Sequence, residues 1–210
     1  MTSPAAVERS LLCDIMLELG PDAPTLSGDW TTRDLAAHLV VRERRPDAMP
    51  GILSGVLVDH SERVRLSEAE RPYAEIVERV RAGAPIWSPT RVPAVDRLVN
   101  TIEFFVHHED VRRAQDGWEA RRLDADLRST LESLLPKFGK MLTRKARVGL
   151  DLAPEGQATT TLHAGDPVVT LAGPIGECVL FLYGRDSVAG VALDGTDEAV
   201  AQLQATKFGI

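Results

Sequence analysis

The stretch from Asn100 to Ala114, Asn-Thr-Ile-Glu-Phe-Phe-Val-His-His-Glu-Asp-Val-Arg-Arg-Ala, constrains this chain more than any other. It reads as helix, placed over about residues 94–115. At 3.6 residues per turn, Glu103 and His107 stack on one face with their Cβ atoms about 5–6 Å apart. Val99, Asn100, Val106, Asp110, Val111 and Ala114 share that stripe, a polar line bordered by apolar residues, which suggests polar chemistry held inside a packed bundle. An imidazole nitrogen and a carboxylate oxygen both bind zinc-type ions at about 2.0–2.2 Å, so this pair can close on one metal. His108 points about 100° away from His107 and cannot join it on the same ion from the same stretch.

A third donor must come from elsewhere. Trp30-Thr-Thr-Arg-Asp-Leu35 opens a second helix, with Thr31 and Asp34 spaced as a capping box. Leu35, His38, Leu39 and Arg42 then share its inner face. A lone histidine there is ordinarily a hydrogen-bonded core residue, but a ligand pair lacking its third member turns the choice toward His38 as ligand. Asp34 either orients the His38 ring or serves only as a cap. Asp110 is placed to orient His107, or to pair with Arg113 or Arg33. Arg42 and Arg45 either hold an anionic substrate or complement the helix C-terminus.

Three protein donors leave a coordination position open, the pattern of catalytic rather than structural zinc sites. Zinc suits the set, and nickel, iron or manganese accept the same N/O donors. A di-iron site needs paired Glu-x-x-His elements that the sequence lacks. There is no His-Glu-x-x-His, no Gly-x-Ser-x-Gly, and no phosphate- or dinucleotide-binding glycine motif in context.

The remainder of the 210 residues reads as core and connection. Ser3-Pro4 opens a first helix with Val7, Leu11, Ile15, Leu12, Met16 and Leu19 as its apolar set, ended by Gly20-Pro21. Pro46 to Gly55 is expected as loop. An interrupted helical pattern runs from 57 to 82, strongest after Pro72, with His60 in its exposed part. Another helix spans Leu123 to Leu142, which Pro136 should kink or divide. After the basic run at 144–147 the period becomes that of strands, near 148–152, 159–162, 168–171 and 188–193. Helices follow Gly173-Pro174 and Thr196. The expected division is a helical bundle over 1–145 and a small α+β domain over 146–210.

A net charge of −7 argues against a general nucleic-acid binder. No apolar run approaches the roughly 20 residues that span a bilayer, and the N-terminus has no signal-peptide pattern. Cys13 and Cys178 are expected as buried free thiols in a reducing cytoplasm.

Asp34-Leu-Ala-Ala-His38-Leu, Glu103-Phe-Phe-Val-His107 and Asp110-Val-Arg-Arg-Ala114 together resemble the DinB-like metal-binding bundles. More narrowly, they resemble the actinobacterial mycothiol-dependent maleylpyruvate isomerase family. Gly173-Pro-Ile-Gly-Glu177 through Leu-Tyr-Gly-Arg185 extends the likeness into the C-terminal part. The resemblance implies an up-and-down four-helix bundle with a metal on His38, Glu103 and His107, an actinobacterial origin, and mycothiol as cofactor. It implies that the thiolate adds to an activated double bond, permits rotation and leaves, or is transferred to an electrophile. Arg42 and Arg185 would hold carboxylates of a small-molecule substrate. Two other readings stand beside this one. One is a metal-dependent hydrolase with Glu109 or Asp110 as base. The other is a non-catalytic protein that binds metal or thiol.

Overall fold

The Ser3 hydroxyl accepts the Ala6 N–H at 3.2 Å and starts helix α1, Pro4–Leu19. Gly20, at φ 85, stops it in a conformation that side-chain-bearing residues rarely adopt. Thr31 and Asp34 form the expected reciprocal capping box at the head of α2, Thr32–Arg44. The computed structural model describes residues 2–48 and 58–209. Most of the Pro46–Gly55 loop therefore lies outside the described residues. Helices α3 (Val58–Ala69), α4 (Tyr73–Arg81) and α5 (Pro93–Arg113) follow, the last after a short 3₁₀ turn at Pro89–Arg91.

The chain divides into two units, Met1–Glu119 and Ala120–Ile210. In the first, four helices share one core: Leu12, Cys13 and Met16 from α1; Leu35 and Leu39 from α2; Ile76, Val77 and Val80 from α4; Phe104 and Val111 from α5. Helix α3 packs on the outer side of α2, where Val64 meets Val41 and Ala48. Helix α1 turns Leu12 and Met16 of its apolar set inward, with Ile15 and Leu19 packed beside them, but not the whole set. Val7 and Leu11 are exposed, while Glu8 and Arg9 are buried beside Leu12 and Cys13. Partners inside the bundle explain this: Glu8 bonds His108 at 2.9 Å, and Arg9 grips Glu43 through two nitrogens at 2.5 and 2.6 Å. Charges matched in this way can occupy an interior face.

The second unit begins with α6, Ala125–Leu142, capped by Asp124. Pro136 lies inside this helix without dividing it. A four-stranded sheet follows in the order β2-β1-β3-β4. Its strands are β1 Gly149–Pro154, β2 Thr160–His163, β3 Val168–Gly173 and β4 Ala192–Asp194. Strand β1 pairs antiparallel with β2 and parallel with β3, in a register that sets Leu150 beside Val169 and Leu152 beside Leu171. All four of those residues are fully buried. Helices α7 (Ile175–Leu182) and α8 (Asp197–Gln204, capped by Thr196) complete the unit.

Helix α6 packs on α7 and β2, so the observed division falls before this helix rather than after 145. Gly139 permits that contact, since a Cβ there would stand 2.8 Å from the Leu162 side chain. The architecture is mainly α with a small α+β part. Among the described residues no helix is long and apolar enough to cross a membrane.

Candidate metal centre

The inner faces of α2 and α5 bring His38, Glu103 and His107 together. One donor atom from each lies within 4.8 Å of the others. Glu103 Oε1 is 3.3 Å from His107 Nε2 and 3.8 Å from His38 Nε2. Ligands about 2.0–2.1 Å from a tetrahedral ion stand about 3.3 Å apart, so both separations from Glu103 are already close to that spacing. The three side chains are 12–20% exposed, partly sheltered but reachable.

Asp110, fully buried, fixes His107. Its Oδ2 lies 3.0 Å from His107 Nδ1 and accepts the Ser27 hydroxyl at 2.9 Å. That leaves Nε2 of His107 turned toward Glu103 and His38, the tautomer and orientation a metal ligand needs. Of the other partners considered for Asp110, Arg33 is engaged with the Ala69 and Arg71 carbonyls, and Arg113 also binds Glu109. Asp34 serves as a cap and binds Arg65 at 2.5 Å, so it does not orient His38. Trp30 lies against that ring, with centroids 5.1 Å apart.

The electrostatics favour a charged cluster over three neutral groups. Burial works against the Glu103 carboxylate, but the Arg42 charge and hydrogen bonds from both histidines hold it well below the usual carboxylate range. Burial also opposes a charged His107, yet its bonds to Asp110 and Glu103 prevail and lift it to about 9. Burial holds His38 below the ordinary histidine value despite its bond to Glu103.

Arg42 does not stand apart from the donors as a substrate-holding arginine would. Its Nε lies 3.1 Å from Glu103 Oε1, and its Nη1 donates to Asn100 Oδ1 at 2.7 Å. Arg45 pairs with Asp47 at the end of α2. Arg185 lies in the second unit after α7, where its Nη1 donates to the Tyr183 carbonyl at 2.5 Å. Glu109 is fully buried between Arg112 and Arg113. The cysteines carry no reactive sulfur: burial pushes both the Cys13 and Cys178 thiols up to about 12.

Sequence reading places Asn100 on the stripe but misses the charged groups it joins behind the cluster. Asn100, fully buried, donates from Nδ2 to Asp96 at 2.8 Å and to Glu43 at 3.3 Å, and Glu43 in turn holds Arg9. Asp96, Asn100, Glu103, His107 and Asp110 form one polar line down α5. The spacing of that line was available in the sequence, but nothing there distinguishes Arg9 or Glu43 from surface charges.

Together these features define a helical bundle with a sheltered three-donor site, followed by a small α+β unit. No protein-family model matches the chain, and no curated protein does. Two crystal structures of the mycothiol-dependent maleylpyruvate isomerase, one of them a mutant, share its fold. Each is 16% identical, over 92% of this chain and 96% of that one, with TM-scores of 0.62 and 0.61.

Proposed function

We propose that this protein is a metal- and thiol-dependent enzyme, an isomerase or S-transferase acting on a small electrophilic or carboxylate substrate. The observation that carries the reading is the convergence of His38, Glu103 and His107 within one ion's reach. In this reading zinc is the metal that best suits the donors, with nickel, iron or manganese compatible. The bound ion would supply a Lewis acid that lowers the pKa of an incoming thiol.

The chain's own residues do the rest. Asp110 keeps the His107 ring oriented with Nε2 presented, and Arg42 keeps the Glu103 carboxylate ionised. Both cysteines are buried with raised pKa values, so a reacting sulfur has to come from outside the protein. The likeness to a mycothiol-dependent isomerase makes mycothiol the thiol to try first.

The hydrolase reading is less well supported, because its two bases are already engaged: Glu109 by Arg112 and Arg113, Asp110 by His107 and Ser27. The deciding experiment is metal analysis of the purified protein followed by a mycothiol titration. Wild type should carry one metal and bind the thiol, and His38→Ala should lose both. Full metal occupancy in His38→Ala would reject the ligand assignment.

A further inference from the structure

Behind the three donors lies a second layer, of which the proposed function uses only the effect of Arg42 on Glu103. Arg42 is anchored at three points: Glu103 Oε1 at 3.1 Å, Asn100 Oδ1 at 2.7 Å and the Val99 carbonyl at 3.4 Å. Its side chain is only 12% exposed. Asn100 cannot turn its amide around, because its nitrogen is spent on Asp96 and Glu43 and its oxygen therefore faces Arg42. Glu43 is matched by Arg9, which also donates to the Val80 carbonyl and stacks 4.1 Å from the Phe104 ring centroid. This is a braced cation with most of its hydrogen-bonding capacity already committed, unlike a flexible arm waiting for substrate.

The consequence is a matter of charge. A divalent ion held by Glu103, with Asp110 behind His107, is balanced by those two carboxylates. Arg42, touching Glu103, adds a positive charge directly beside the ion's carboxylate ligand. Glu43 and Asp96 reach Arg42 only through the neutral Asn100 amide. Asp96 is the farther out of the two, with its side chain 16% exposed.

We infer that Arg42, positioned by Asn100, makes the centre select an anion as the ligand that completes it, in preference to a neutral molecule. This rests on the metal reading above and adds to it a cause for anion preference that lies in the protein rather than in the ion. Asn100 is a positioning residue, acting through Arg42.

The test uses the full-length protein loaded with cobalt(II) and titrated with thiocyanate, followed by visible absorption, with metal affinity measured separately. Arg42→Gln is expected to weaken thiocyanate binding about tenfold, the scale of one charge lost a few ångströms away. Its metal affinity should stay equal or rise, because a cation competing for Glu103 has gone. Damage to the fold would lower both quantities, so the opposite signs separate charge from structure. Arg42→Lys should restore part of the anion affinity. Asn100→Ala should weaken thiocyanate binding alone, but add nothing to Arg42→Gln. Thiocyanate binding unchanged in Arg42→Gln would overturn the inference while leaving the metal site standing. If wild type takes up no cobalt, both fall together.

Discussion

The two units bury different things. Unit 2 is conventional: β1 and β3 place Leu150, Leu152, Val169 and Leu171 in a fully buried apolar layer, and α7 is buried along its whole length. Unit 1 has an apolar core of the same kind, but along α5 it also encloses carboxylates, arginines, histidines and an amide, nearly all matched. Removing water from charges is expensive, and a buried ion pair is often no more stabilising than hydrocarbon of the same shape. A bundle that keeps so many of them is organised for a task other than its own stability. The sheet unit shows how this chain packs a layer built of hydrocarbon alone.

The sharpest way to break this contrast is at the buried Arg9–Glu43 pair. Arg9→Met should cost about 3–5 kcal/mol by stranding Glu43 without its partner, read as a shift in denaturant midpoint. Arg9→Met with Glu43→Leu should recover most of that loss. If the single variant is as stable as wild type, the network is not holding the bundle in the way its geometry implies.

The matching experiment in unit 2 is Leu171→Ala, a cavity in a dry layer, expected to cost about 2–5 kcal/mol. Metal content should stay unchanged, since none of the three donors lies in that unit.

Asp110→Asn keeps the size of the side chain and removes its charge. Metal affinity should fall about 10- to 100-fold, the usual cost of losing the group that orients a histidine ligand. The check is competition against a chelator of known affinity.

A further test is the dependence on pH. The His107 pKa is raised, so its contribution to the stability of the metal-free protein is complete below the ordinary histidine value. It should fade as pH rises through about 9. Denaturation midpoints between pH 6 and 10 should show this decline in wild type, and His107→Gln should lose it.

Much of this was legible in the sequence, and where it was not the reason is physical. Caps and periods are local: Ser3, Thr31 and Thr196 all start helices at which the chain begins to turn. The spacing of Glu103 and His107 is equally local, and His38 falls on the inner face of α2 as its neighbours require. Inward-facing charge is another matter. Burial of Glu8 and Arg9 depends on His108 and Glu43, which are distant in the chain, so the apolar pattern of α1 could not show that the buried face widens to take these charges while Val7 and Leu11 stay outside. The grouping of α6 also escaped, because an amphipathic helix does not declare which neighbour its apolar side will meet. Its answer was Gly139 against Leu162, a fit between a missing side chain and a large one.

The contact between Trp30 and His38 has a practical use. An indole resting on the imidazole makes the protein its own optical gauge. With Trp87 and Trp118 changed to phenylalanine, the remaining emission should dim as a paramagnetic ion such as cobalt(II) or nickel(II) arrives. Arrival and departure could then be timed in a stopped-flow instrument with no dye attached.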